Sequence, residues 1–233
     1  MQGVIRTAFV ASVLAACGSG SHATTDAPAM GSGDSGSGDG GTGGFRVHWW
    51  SDPKLPGGVG NNATVTDADF WLTSLRVIGD ADPGDDRTTA DPGHIWWDEH
   101  GGPDVVNFPD APSGLYSKIA VALDGLVVNS SYDIMGTVDL GGSAGTKSFH
   151  IHDLAPMNVS LDINNTLQPG AEVDVTIHVD FTAAIGAIDF ATLDTDDGNL
   201  DLDTLDSQMP AFRTALQNSF SIAGGSTGSS SPP

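Results

Sequence analysis

The chain has 233 residues, of which 30 are acidic and eight are basic, so its formal net charge is −22 at pH 7. This excess of carboxylates argues against nucleic acids and anionic lipid headgroups as ligands, because phosphate binding requires clustered Lys and Arg side chains. It favours the binding of cations, with simple solubility at a crowded surface as the alternative.

The first seventeen residues, MQGVIRTAFVASVLAAC, have the pattern of a secretory signal. One positive charge, Arg6, precedes a run of small and apolar residues that is too short to cross a bilayer. The last four letters, LAAC, end at Cys17 and resemble the lipobox of bacterial lipoproteins. The resemblance implies that the signal, residues 1–16, is removed and that Cys17 is acylated.

Acylation of Cys17 has consequences for location and for chemistry. We expect a lipid-anchored protein of the cell envelope, at the outer membrane or cell surface of a Gram-negative bacterium, with the membrane as its partner through the anchor. Cys17 is the only cysteine. Its acylation would therefore exclude disulfides, thiolate metal ligands and thiol nucleophiles.

The composition divides the mature chain into three parts. Residues 17–44 comprise the lipidated cysteine and a disordered Gly/Ser-rich tether, whose 27 residues after Cys17 would span about 30 Å r.m.s. as a flexible coil. Residues 45–222 are long enough for one β domain. Residues 223–233 form a short disordered tail.

Apolar residues in the domain alternate with polar ones, which is typical of half-buried strands. In EVDVTIHVDF, the inward positions are Val173, Val175, Ile177, Val179 and Phe181. In LYSKIAVAL, the apolar face consists of Leu115, Ile119, Val121 and Leu123. Turn-forming stretches separate such runs, so consecutive strands are expected to pair antiparallel.

These features predict an all-β fold, an antiparallel β-sandwich of immunoglobulin or transthyretin type with one C-terminal helix. Ser207 is the expected helix cap, and Pro210 lies in the first turn. Four apolar residues recur along one helix face at steps of three and four, namely Met209, Phe212, Leu216 and Phe220.

Three strand motifs resemble those of small β-sandwich bacterial lipoproteins, including the methanobactin-associated MbnP-like metal-binding proteins. They are DFWLTSLRVIG at 69–79, PSGLYSKIAVALDG at 112–125 and VDVTIHVDFTAAIGAIDF at 173–190. Members of that group bind copper with help from a modified tryptophan. The long insertion bearing Met and Trp that the family has after VALDG is missing here, so no binding residue is carried over.

Histidines and carboxylates on the predicted strands form the first candidate site. His150 and His152 share one strand face about 7 Å apart, a spacing at which two imidazoles can chelate a metal. With His178 and Asp180 from a later strand, the set would suit Cu(II) or Zn(II) without a thiolate. The alternative is that all four are ordinary outward residues of an exposed sheet, with the intervening strand holding His178 roughly 10 Å away.

The aromatic segment GHIWWDEHGG is the second candidate site. Trp beside His and carboxylates is a common composition of ligand-binding surfaces. The candidate ligand-binding residues are Trp96, Trp97, Asp98, Glu99 and His100. The alternative is that these tryptophans pack in the core.

The acidic stretch DTDDGNLDLD is the third candidate site, because carboxylates near a glycine can enclose Ca²⁺. The candidate ligands are Asp194, Asp196, Asp197 and Asp201. The stretch fails the EF-hand pattern, which requires glycine where Asn199 stands and glutamate where Leu205 stands. The alternative is a solvated turn before the final helix.

No complete catalytic constellation occurs in the sequence, and no catalytic residue is assigned. GGSAG at 141–145 spells a nucleophile elbow, but strands flank it on both sides where the elbow needs a following helix. We therefore expect a non-enzymatic binding or structural domain whose protein or small-ligand partner the sequence does not identify. The alternatives are a periplasmic or surface Cu- or Zn-binding protein and a hydrolase using Asp98 or Glu99.

Overall fold

The computed structural model describes residues 44–80, 87–88, 93–103, 105–125, 130–196 and 198–223. Strands β1 to β14 are, in chain order, Gly44–Asp52, Gly57–Gly58, Ala63–Gly79, Arg87–Thr88, His94–Trp97, Val106–Phe108, Gly114–Leu123, Tyr132–Asp139, Thr146–Asp153, Met157–Leu167, Glu172–Asp180, Asp194–Asp196, Asn199–Leu202 and Phe220–Ile222. Helices α1 and α2 are Phe181–Gly186 and Met209–Asn218, with a 3-10 turn at Phe190–Thr192. The predicted signal, Cys17, most of the tether and the tail beyond Ala223 lie outside the described residues.

The strands form two sheets, which confirms the prediction of an all-β architecture. The smaller sheet has the order β14-β11-β1-β6. The larger has the order β10-β7-β3-β8-β9-β13-β12, and β2, β4 and β5 also pair with β3. One core joins the sheets; for example, the rings of Phe45 in β1 and Tyr116 in β7 lie 5.2 Å apart. The structure is therefore a two-sheet sandwich.

Two strand pairs depart from the expected antiparallel arrangement. β1 pairs with β11 in parallel, and β13 pairs with β9 in parallel; every other described pair is antiparallel. Only strands joined by a short turn are obliged to run in opposite directions. β1 and β11 are far apart in the chain, and helix-containing segments separate β9 from β13, so their directions depend on tertiary packing.

The alternation in β7 also changes phase. Leu115, predicted to face inward, is 39% exposed, whereas Tyr116 is fully buried. The register is irregular on both sides of this end of β7, between Ile78 and Gly79 in β3 and between Asp162 and Asn165 in β10. Such irregularities shift side chains to the opposite face, so strict alternation fails there.

The predicted C-terminal helix is present as α2, with Met209, Phe212 and Leu216 buried. It ends at Asn218, and Phe220 lies in β14. Ser207 is not its cap; Gln208 occupies that position and makes no side-chain capping bond.

A second helix, α1, was not expected. It starts at Phe181, where the predicted inward alternation of β11 ends, and Asp180 caps it by accepting a hydrogen bond from the Thr182 N–H. The ring of Phe181 is fully buried and stacks near Phe70 at 6.3 Å. Phe181 is therefore a core residue, as predicted, but it is helical.

A buried carboxylate connects the large sheet to α2. Asp153, at the end of β9, is completely buried and accepts hydrogen bonds from Tyr132 (2.8 Å), the Ala155 N–H (3.1 Å) and Thr204 (3.1 Å). Arg213 of α2 donates two more, from Nε at 2.6 Å and Nη2 at 3.0 Å. Burial alone would raise the pKa of Asp153, but these bonds outweigh it and lower the pKa.

Replacement of Arg213 by Met should destabilise the protein, because it leaves the Asp153 carboxylate buried without a countercharge. We expect the free energy of unfolding, measured in urea, to fall by about 3–5 kcal/mol. Arg46→Met is the matched control, since Arg46 forms the same two-point pair with Asp174, whose side chain is 49% exposed. The control should lose much less stability, because exposed ion pairs are screened by solvent and contribute little. Equal losses in the two variants would contradict the assigned role of Asp153.

Candidate metal centre

The alternation of β9 directs two histidines to the outer face of the large sheet. Phe149 and Ile151 are buried in the core, so His150 and His152, between and after them, point outward. β13 repeats this pattern, because its buried residues Leu200 and Leu202 flank Asp201.

The parallel register of β9 and β13 places Asp201 directly beside His150. Asp201 Oδ1 lies 3.7 Å from His150 Nδ1 and 3.6 Å from His152 Nε2. One donor atom from each residue lies within 4.8 Å of the other two. In a tetrahedral site with metal–ligand distances near 2.0–2.1 Å, donor atoms are about 3.3–3.5 Å apart. The two separations between Asp201 and the histidines are close to this spacing, and the three side chains could hold a metal ion.

The two imidazole rings stack on each other beside Asp201. The two rings are parallel within 3°, and their centroids are 4.7 Å apart. Their side chains are 31% and 34% exposed, and that of Asp201 is 16% exposed. An ion can thus enter from solvent, while the site is shielded enough to strengthen its electrostatic interactions.

A second carboxylate contacts His150 from β8. Asp133 Oδ1 lies 2.7 Å from His150 Nε2. This hydrogen bond raises the pKa of His150 above its usual value, against the lowering effect of partial burial, and the charges of Asp133, Asp201 and Asp196 add to the rise. Asp133 was not singled out from the sequence, where it is one outward residue of an alternating strand; only the pairing of β8 with β9 brings it to His150.

The other two proposed metal ligands do not join this cluster. His178 lies in β11, in the smaller sheet, and its Nε2 is 3.8 Å from Asp52 Oδ2. Asp180 caps α1 through the Thr182 N–H at 2.8 Å. The order of strands along the chain suggested that β9 and β11 lie in one sheet, one strand apart. Instead, β9 belongs to the larger sheet and β11 to the smaller one.

The acidic stretch proposed for calcium folds largely into a hairpin of β12 and β13. Asp194 is cross-strand to Asp201, and both Asp194 and Asp196 are exposed. Asp197 lies outside the described residues. Asp201 therefore belongs with the histidines. Asp201 was assigned from the sequence to the calcium site, separately from the histidines. The alternation of Leu200, Asp201 and Leu202 was the sequence signal that Asp201 faces outward from a strand.

The tryptophans of the aromatic segment divide between core and surface. Trp97 is buried and packs edge-on against Phe70 at 5.8 Å, as in the core alternative. Trp96 is partly buried and lies opposite Asp69 in the pairing of β5 with β3. The ring of Trp97 is thus not available as a surface platform.

The three polar residues after Trp97 form a turn. The Asp98 carboxylate accepts the His100 N–H at 2.6 Å and the Gly101 N–H at 3.0 Å. The backbone bond from His100 is the main reason why the pKa of Asp98 is lowered. Glu99 and His100 are exposed, with His100 Nε2 3.7 Å from Glu99 Oε1. The hydrogen bonds of the Asp98 carboxylate therefore stabilise its own turn.

A second histidine–aspartate pair lies on the same sheet face, and the sequence did not single it out either. His94 Nε2 is 2.6 Å from Asp69 Oδ1, and the His94 ring stacks on Trp71 at 5.2 Å. Asp69 is cross-strand to Asp133. Burial is the main cause of the raised pKa of Asp69.

We predict that His150 titrates above the usual histidine pKa of about 6.5. NMR titration should show this shift in the metal-free protein, and Asp133→Asn should reduce it. Because the pKa of His150 is raised in the folded state, protonated His150 stabilises the fold. This contribution is complete below the pKa of His150 in the unfolded chain and is lost as the pH rises through its pKa in the folded protein. The stability difference between wild type and Asp133→Asn should therefore shrink towards alkaline pH. A difference that grew with pH would contradict the assignment.

The chain matches no protein-family model, no curated protein and no solved structure. No helix in the described part is both long and apolar enough to span a membrane. Among the described residues, His150, His152 and Asp201 form the group whose donor atoms lie close enough together to hold a metal ion.

Proposed function

We propose that this protein is a lipid-anchored cell-envelope protein whose β-sandwich binds one Zn(II) or Cu(II) ion and catalyses no reaction. The observation that carries this proposal is the convergence of His150, His152 and Asp201. Two imidazoles and one carboxylate form a donor set that suits these two ions.

The donor set favours these ions over calcium. Ca²⁺ takes six to eight oxygen ligands, whereas two of the three converging donors are nitrogen. The neighbouring carboxylates Asp194 and Asp196 are exposed on the adjacent hairpin strand. Their charges, together with the net charge of −22, would attract a cation to the site without selecting it.

Three protein ligands leave part of the coordination sphere to solvent. Structural zinc sites use four protein ligands and are closed. The partial exposure of His150 and His152 fits an ion that enters and leaves. This supports capture or carriage of a metal over a purely structural role. The engagement of Asp98 in its own turn supports a non-enzymatic function over a hydrolase centred on Asp98 and Glu99.

The proposed location depends on Cys17 and on the signal-like residues before it. A lipid at Cys17, followed by a tether rich in Gly and Ser, would hold the domain near the outer membrane or cell surface. We further propose that the sandwich is of immunoglobulin or transthyretin type, which is supported by two mainly antiparallel sheets around one core.

Titration calorimetry tests the metal site. The wild-type protein should bind one Zn(II) or Cu(II) ion, and His150→Ala/His152→Ala should weaken binding by more than about 100-fold, beyond the usual effect of outer-shell changes. His178→Ala is the matched control and should bind as the wild type does, because His178 lies in the other sheet. Unchanged binding in the double variant, or absence of binding in the wild type, would refute the site.

Mass spectrometry of membrane-extracted protein tests the anchor. The mature chain should begin at Cys17 and carry acyl groups. Cys17→Ser should release the protein from the membrane fraction without changing Zn(II) affinity, since the cluster lies far along the chain at residues 150–201. An unmodified Cys17, or an intact Met1 terminus, would contradict lipid anchoring and leave the metal site untouched.

A further inference from the structure

We propose that Asp133 is a positioning residue that makes His150 bind the metal through Nδ1, while His152 binds through Nε2. This inference rests on the proposed metal-binding function.

The two carboxylates beside His150 lie at different distances and on opposite sides. β9 lies between β8, which carries Asp133, and β13, which carries Asp201. The 2.7 Å separation of Asp133 Oδ1 and His150 Nε2 is that of a strong hydrogen bond. The 3.7 Å separation of Asp201 Oδ1 and His150 Nδ1 exceeds hydrogen-bond length and is close to the spacing of two ligands on one metal.

The short contact determines which nitrogen is free. An ionised carboxylate only accepts hydrogen bonds, so Asp133 requires a proton on His150 Nε2. The lone pair of the neutral ring is then on Nδ1, which faces Asp201. Nε2 of His152 faces the same oxygen at 3.6 Å. One Nδ1 and one Nε2 therefore converge on Asp201 Oδ1.

The bond to Asp133 also draws the two rings together. Residues two apart on a strand are about 6.6 Å apart along the backbone, yet the ring centroids of His150 and His152 are only 4.7 Å apart. Asp133 is cross-strand to His152, so its bond to His150 is diagonal and leans that ring towards His152. Without this bond, the His150 ring would lose the contact that directs Nε2 to Asp133 and Nδ1 to Asp201.

The sheet offers a matched control one strand away. Asp69 is cross-strand to Asp133 and bonds to His94 at 2.6 Å, also along a diagonal. Asp69→Ala therefore removes the same charge and the same kind of bond from the same sheet face. His94 is not among the converging donors, so this variant leaves the orientation of His150 unchanged.

Zn(II) affinity, measured by competition with a chelator, tests the role of Asp133. Asp133→Ala should weaken binding by about 10–100-fold, as loss of an outer-shell partner does. Asp133→Asn should lose less, because its amide oxygen still accepts the Nε2 proton. Asp69→Ala should change affinity by less than about threefold, the size of a screened charge effect. The proposal fails if Asp133→Ala binds Zn(II) within threefold of the wild type. It also fails if Asp133→Ala and Asp69→Ala lose the same amount of Zn(II) affinity.

Long-range ¹H–¹⁵N NMR of the imidazole rings supplies a readout that altered stability alone would not change. In the Zn(II)-bound wild type, His150 should be metal-bound at Nδ1 with a proton kept on Nε2, and His152 should be bound at Nε2. Zn(II) bound at His150 Nε2 would overturn this inference and leave the proposed function standing. A wild-type protein that binds no Zn(II) or Cu(II) would overturn both.

Discussion

The buried carboxylate of Asp153 is the constraint on which the arrangement of the large sheet depends. Desolvation of a charge is costly unless other groups replace the lost water contacts. Asp153 accepts five hydrogen bonds, from Tyr132, Ala155, Thr204 and twice from Arg213. These donors come from β8, from the turn after β9, from the segment after β13 and from α2. Any displacement of one of these parts would leave part of a buried charge unpaired.

This constraint acts directly on the candidate metal centre, because Asp153 follows His152 at the end of β9. The bond from Thr204 joins the end of β9 to the segment just beyond β13. It holds the two strands side by side in the parallel register that pairs His150 with Asp201. Tyr132, at the start of β8, makes the corresponding link beside Asp133. The buried bonds thus help to position the partly exposed donors above them.

The candidate centre places two carboxylates at different distances from one histidine. Asp133 Oδ1 is within hydrogen-bond distance of His150 Nε2, whereas Asp201 Oδ1 is farther from His150 Nδ1, at a distance close to that between two ligands of one metal. Both are outward aspartates of alternating strands, so residue type does not distinguish them. The difference arises from register: Asp133 meets His150 diagonally across an antiparallel pair, and Asp201 meets it directly across a parallel pair.

The sequence by itself determined the β architecture, the outward direction of His150 and His152, and most of the buried face of α2, because alternation and helical periodicity are local properties. It did not determine that β9 pairs in parallel with β13 or that His178 belongs to the other sheet. Those outcomes depend on contacts between distant segments, which no local pattern encodes. Only the tertiary structure therefore showed that Asp201, and not His178 or Asp180, lies beside the two histidines. It also showed that Asp133 contacts His150. The candidate metal centre is the product of strand register, and register is decided by packing of the whole core.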